Sequence, residues 1–180
     1  MTGQRMDGKH QERVRGLRSL KFFAVFMVLL VIIAFLLVGY FFMTASVSIT
    51  AFGATGKQCA DHIEEFNSIK ASLEEETFIG TRFSFEPLKE AQDYALITYS
   101  VRLSNQCLVP IDMIEIQVVP EPTDILQLGQ TRGYSLQPKS EGEFSATVMV
   151  PRESHSVRQL IVTYYVWGVS FDVKATYSTR

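Results

Sequence analysis

No charged residue occurs between Lys21 and Lys57, and the stretch from Phe22 to Met43 is almost wholly apolar. As a helix, those residues would extend about 33 Å, enough to cross a hydrocarbon core of about 30 Å. A single internal charge there would cost several kcal/mol, so the gap is informative. A buried helix of a soluble protein needs only an apolar stripe, whereas this run is apolar around its whole circumference and holds six phenylalanines. Tyr40 lies near its outer end, where an amphipathic ring suits the headgroup boundary. The small residues Thr44-Ala45-Ser46 offer a signal-peptidase motif, but the run exceeds the roughly 7–15 apolar residues of a cleaved signal. The span is expected to be retained as an anchor. Ala34 and Gly39 lie within it, but no Gly-x-x-x-Gly pattern argues for helix pairing.

Charge is divided across this segment. Met1 to Lys21 holds six basic residues against Asp7 and Glu12, and the chain beyond the span holds eleven basic against seventeen acidic residues. Lys and Arg are retained in the cytoplasm, so the expected arrangement is a cytoplasmic tail (1–21), a span (22–43) and an extracytoplasmic domain (44–180) at the cell membrane. An acidic domain repels phosphate, which argues against nucleic acid as a partner. The lipid bilayer is the first partner this reading names, and another envelope or membrane protein the second.

Beyond the span, Ser46 to Phe52 alternates Val47 and Ile49 against Ser48 and Thr50, a short strand expected to break at Gly53 and Gly56. From Lys57 to about Glu76 the period changes. Ile63, Phe66, Ile69 and Leu73 fall on one helical face, with Asp61, Glu64, Glu65, Glu74 and Glu75 opposite. Glutamates at the helix C-terminus oppose its dipole, so that end should fray. Strand chemistry resumes with Phe78, Phe83 and Phe85 before Pro87. Period-two alternation marks Ala95–Leu103, Met113–Val119, Phe144–Val150 and Val169–Tyr177; Ile125–Leu128 is a short β segment, and Leu160–Tyr177 as a whole is a nearly continuous one. Gly168 interrupts the last as a bulge, a bend or the centre of a very tight turn. Half-polar strands separated by turn signals indicate an antiparallel β-sandwich of immunoglobulin-like type with one inserted amphipathic helix.

Several residues sit where a known pattern would have them. Val101-Arg102-Leu103-Ser104-Asn105 leads through a turn to Pro110-Ile111, and Gly129 follows a short strand. Leu136-Gln137-Pro138 precedes a polar turn, Phe144–Val150 forms the next strand, and Tyr165-Val166-Trp167-Gly168 stands near the end. From about Ala95 to Tyr177 the chain thereby resembles the water-stress and hypersensitive-response domains of the second late-embryogenesis-abundant group. Many of these are tethered by one N-terminal helix. The usual Asn-Pro-Asn is here Asn105-Gln106-Cys107, and the acidic helix is extra to the pattern. A generic immunoglobulin-like or fibronectin-like domain is the other resemblance. The first implies a stress-protective or lipid- or small-ligand-binding role, and it carries no catalytic residues.

The glycine-to-glutamate spacing of a type IV pilin leader is missing, because Lys21 lies five residues beyond Gly16. Cys59 and His62 with Cys107 and His155 could formally make a zinc site, but the second pair is far too open for a motif. Two cysteines in an oxidising compartment tend to pair, and a Cys59–Cys107 disulfide would add about 2–4 kcal/mol. The other reading is two unpaired thiols. Ser154-His155-Ser156 lacks a nucleophile elbow and reads as a solvated loop. Glu74, Glu75 and Glu76 could hold calcium weakly, or be a wet surface. No phosphate-binding glycine loop or cofactor motif is present. Tyr165 and Trp167 form a candidate interaction patch, with inter-strand packing as its alternative. A non-enzymatic interaction module is therefore the first functional expectation, and a ligand-binding or stress-protective domain the second. An enzyme would need a polar cleft with perturbed ionisable groups.

Overall fold

A computed structural model of the chain describes residues 7–43, 46–129, 134–155 and 157–177. They fall into two compact units, Met1–Thr44 and Ala45–Arg180. The first is one helix, α1 (Asp7–Met43), in which Lys21–Phe41 is long and apolar enough to cross a membrane. Side chains from Lys21 to Tyr40 are exposed, as an apolar segment would be with lipid as its surroundings. Thr44 and Ala45, from the small-residue motif, lie outside the described residues, as does Ser156.

The second unit is mainly β. Strand β1 (Val47–Gln58) is followed by a 3₁₀ turn (Cys59–His62) and α2 (Ile63–Glu74). Then come β2 (Gly80–Arg82), β3 (Tyr94–Asn105), β4 (Ile111–Val118), β5 (Leu126–Leu128) and β6 (Tyr134–Leu136). The chain finishes with β7 (Glu141–Pro151), β8 (Arg158–Val166) and β9 (Val169–Tyr177). Two antiparallel sheets result, in the orders β1-β3-β7-β5-β2 and β6-β4-β8-β9. Alternate residues of both point into one core. Ile97, Tyr99, Val101 and Leu103 meet Phe144, Ala146, Val148 and Val150 in the first sheet. Ile114, Ile116, Val118, Leu160, Val162, Tyr164 and Val166 supply the second.

β1 runs on through Gly53 and Gly56, where a break was expected, and pairs with β3 from Val47↔Asn105 to Gln58↔Ala95. Each strand-interior glycine weakens a strand by well under the worth of a continuous ladder, and β1 is an edge strand, where a glycine displaces little packing. The helix consequently starts at Ile63, not at Lys57. Phe66 and Ile69 are buried and Leu73 is half-buried, but Ile63 is 49% exposed, because the 3₁₀ turn delivers the chain to the sheet one turn later than the spacing implied. Phe66 stacks on Tyr94 and joins Cys59, Ile69, Leu96, Leu126 and Met149 in a second, smaller core. That core covers the outer face of the first sheet around the register-matched trio Leu96, Met149 and Leu126. Of the strand expected around Phe78–Phe85 only β2 forms, and Phe85 is exposed. The ambiguity at Gly168 resolves as a two-residue hairpin turn, Trp167-Gly168, between β8 and β9.

The end of the unit at which β1 finishes is fastened by a buried ion pair. Arg158 donates through Nε and Nη2 to the two oxygens of Asp124, at 3.0 and 2.6 Å. Its Nη1 donates to the carbonyls of His155 and Val157 and lies 3.2 Å from Glu121. Asp124 also accepts from the Glu121 N–H. The pair thus ties the β4–β5 connection to the β7–β8 connection with every strong donor used. Removing one partner leaves a buried, uncompensated charge. Asp124→Ala is expected to destabilise the unit by about 3–5 kcal/mol in denaturant unfolding, whereas Arg102→Ala, at an exposed pair with Glu143, should change stability by less than about 1 kcal/mol.

Candidate functional site

The long β1–β3 ladder decides where the chemistry-bearing residues lie. Cys59 directly follows Gln58 at one end of β1. The thiol of Cys107 lies 3.6 Å from the carbonyl of Ser46, just before the other end. A strand of this length separates them by roughly 40 Å at ~3.3 Å per residue, against the less than 7 Å between Cα atoms that a disulfide requires. The expected bridge is therefore not formed, and both cysteines are buried free thiols. The same separation disperses the formal Cys59, His62, Cys107 and His155 set. Among the described residues, no group of three or more His, Cys, Asp or Glu side chains is placed to hold a metal. His155 is exposed on the β7–β8 connection, as a solvated loop histidine should be, with its Nδ1 3.3 Å from Arg158 and its Nε2 3.6 Å from Glu121.

At the end where β1 begins, a fully buried asparagine organises two segments. Asn105 Nδ2 donates to the carbonyls of Val109, Leu136 and Gln137, and its Oδ1 accepts from the Cys107 N–H at 2.9 Å. Its own N–H donates to Ser140 O. The β3–β4 loop and the β6–β7 turn are thereby held to one side chain. That loop in turn grips the first residues of the unit. The Gln106 N–H donates to Ser46 O, the Gln106 carboxamide bonds Ser48, and Lys139 Nζ donates to Gln106 O. Tyr164, from β8, reaches the backbone of Val47, and burial raises its pKa against the lowering effect of that bond. The Trp167-Gly168 turn, just beyond Tyr164, therefore sits at this same end.

The two residues of the expected patch separate here. Tyr165 is half-buried on the outer face of the second sheet, while Trp167 is 55% exposed at the hairpin tip. Trp167 has φ 50° and Gly168 φ 80°, the signature of a type I′ turn, whose first position favours Asn, Asp or Gly. A tryptophan there costs about 1–2 kcal/mol of backbone strain. Val169 (46%) closes the turn opposite Val166, and Leu108 (56%) is exposed on the β3–β4 loop at this same end.

A second feature was invisible in the sequence because it forms where two sheet edges meet. An open cleft of about 440 Å³ lies between β2 and β5 of the first sheet and β4 of the second. Gln127 spans its floor: its carboxamide donates to Ile116 O and accepts from the Val118 N–H, so a side chain stands in for a strand partner. A bulge in β4 turns Met113 outward at φ 48°, 61% exposed, and Ile79 and Tyr134 are exposed nearby.

Two outcomes follow from this geometry. Asn105→Ala leaves several buried backbone groups without partners and should cost about 2–4 kcal/mol, whereas Gln106→Ala should cost less than about 1 kcal/mol. Burial, with Glu65 nearby, pushes the Cys59 thiol from 9.0 up to about 11. Alkylation of Cys59 in the folded protein should therefore be slow at neutral pH and accelerate only as the pH approaches that value. Unfolding without reductant should release two alkylatable thiols, counted by mass spectrometry.

No protein-family model, curated protein or solved structure matches this chain.

Proposed function

We propose that this chain is a membrane-anchored, non-enzymatic interaction module. The basic tail lies in the cytoplasm, α1 crosses the membrane, and an immunoglobulin-like sandwich is presented outside to another membrane protein. The observation that carries this reading is the contrast between a filled interior and an open edge. The space between the sheets is occupied by Tyr99, Leu103, Ile116, Val148, Leu160 and Val162, all buried at the level of zero exposure. A ligand-binding domain, the role implied by the late-embryogenesis-abundant resemblance, would need an enclosed apolar cavity there. One accessible feature is instead the cleft beside β4, lined by Met113, with Ile79 exposed next to Gly80 and Tyr134 exposed opposite Ile114. An apolar rim around a sheet edge suits a protein partner that adds main-chain and side-chain contacts together.

The test is site-specific photocrosslinking of the full-length protein in its native membrane. A photoreactive residue at Gln117, in the cleft, should capture one recurrent membrane protein, and the same residue at Lys174, on β9, should not. Met113→Asp should reduce that adduct at least about tenfold, equivalent to ~1.4 kcal/mol. It should leave the fold intact, because the site is exposed and aspartate tolerates positive φ. Absence of any adduct, together with lipid or small molecules copurifying with the folded protein, would instead support the ligand-binding role.

A further inference from the structure

We infer that the end of the β unit where β1 begins is a lipid-docking surface, with Trp167, Leu108 and Val169 seated in the headgroup layer of the bilayer that holds α1. This rests on the reading of α1 as a membrane anchor.

The tether makes lipid the occupant. Only four Cα steps separate Met43, the last residue of α1, from Val47, the first of β1. Whatever its conformation, that link reaches at most about 15 Å at ~3.8 Å per step. The interfacial region outside the hydrocarbon core is itself about 5–8 Å deep on each side. The start of β1 is thus confined to the neighbourhood of the headgroups, together with everything fastened around it. Ser46 is held by Gln106, Val47 by Tyr164, and the exposed apolar residues Leu108, Trp167 and Val169 lie on the loop and hairpin those contacts fix.

Two further observations agree. Charge is unevenly placed: Lys57 to Asp93, which begins at the opposite end of β1, carries nine acidic residues against four basic. The β3–β4 loop and the hairpin tip, residues 106–110 and 166–169, carry none, and beside them stand one base, Lys139, and two acids, Asp112 and Glu141. Acidic lipid headgroups would repel the first region more than the second. Trp167 is also held at positive φ in a turn that smaller residues make without strain. Strain kept at an exposed position points to a use for that side chain. An indole at a membrane–water boundary places its apolar ring and its polar N–H in the two media that suit them.

Trp167 is the chain's single tryptophan, so its fluorescence reports this surface directly. The experiment reconstitutes the full-length protein into phosphatidylcholine–phosphatidylglycerol vesicles in which part of the lipid carries bromine near the headgroup. Emission should fall about twofold relative to unbrominated vesicles, as for an interfacial indole. Leu108→Asp should largely abolish the quenching. A probe moved to the other end (Trp167→Phe with Gln92→Trp) should not be quenched. Unquenched Trp167 in protein that floats with the vesicles after alkaline extraction overturns the docking surface and leaves the anchor standing. Protein that does not float overturns the anchor, and the docking with it. Shielding of Trp167 from aqueous acrylamide that needs high protein density and shows no bromine quenching would mean contact between copies, and also overturns it.

Discussion

The β1–β3 ladder is the constraint on which the rest of this unit depends. It runs the full length of both strands and sets a strand-length distance between two ends with different chemistry. One end carries the 3₁₀ turn, α2 and the Asp124–Arg158 pair. The other carries the Asn105 turn, the Trp167 hairpin and the entry of the chain from α1. The ladder keeps the two thiols apart and makes a disulfide impossible without unpairing it. It also carries the chain through two glycines that would interrupt a less well-paired strand.

Both ends are closed by polar side chains that are fully satisfied, not by more apolar packing. At one, a bidentate guanidinium–carboxylate pair gathers two loops. At the other, a neutral carboxamide does the same for a loop and a turn. Gln127 repeats the device along the side, bonding β4 in place of a missing strand. Buried polar groups with every bond made specify one arrangement of the surrounding backbone, because a shifted loop would strand a donor or acceptor out of water. A side chain also ends where its atoms end. Each of these residues seals a boundary of the sheets without extending a strand.

Strands that alternate cleanly over several residues were legible in the sequence: β3, β4, β7 and the β8–β9 pair follow the period-two pattern of their own residues. β2 forms within the strand chemistry read from Phe78 to Phe85 but is far shorter than that stretch, and β6 was not read, since its three residues carry no turn or period of their own. The course of β1 past Gly53 was hidden because its evidence lies in β3, 37 or more positions away. The apolar face of α2 could be read from spacing, but the exposure of Ile63 depends on the preceding 3₁₀ turn. Trp167 could be singled out as an aromatic, whereas its parting from Tyr165 required knowing that Gly168 closes a two-residue turn. The Asp124–Arg158 pair joins residues 34 apart whose pairing no local pattern announces.

The placement of α2 has a consequence for the order in which this unit assembles. The β1–β3 ladder can be closed with the shortest chain loop at Gln58 and Ala95, and with the longest at Val47 and Asn105. Loop-closure entropy favours the shorter by only a few tenths of a kcal/mol. The small core of Cys59, Phe66, Ile69 and Tyr94 is built within that same loop, and it adds apolar burial there before any distant strand arrives. Nucleation is thereby biased to the end where β1 finishes, and pairing zips back towards Val47. The residues that emerge first are among the last to find their partners, and the entry end is correspondingly the first to open when the folded unit fluctuates.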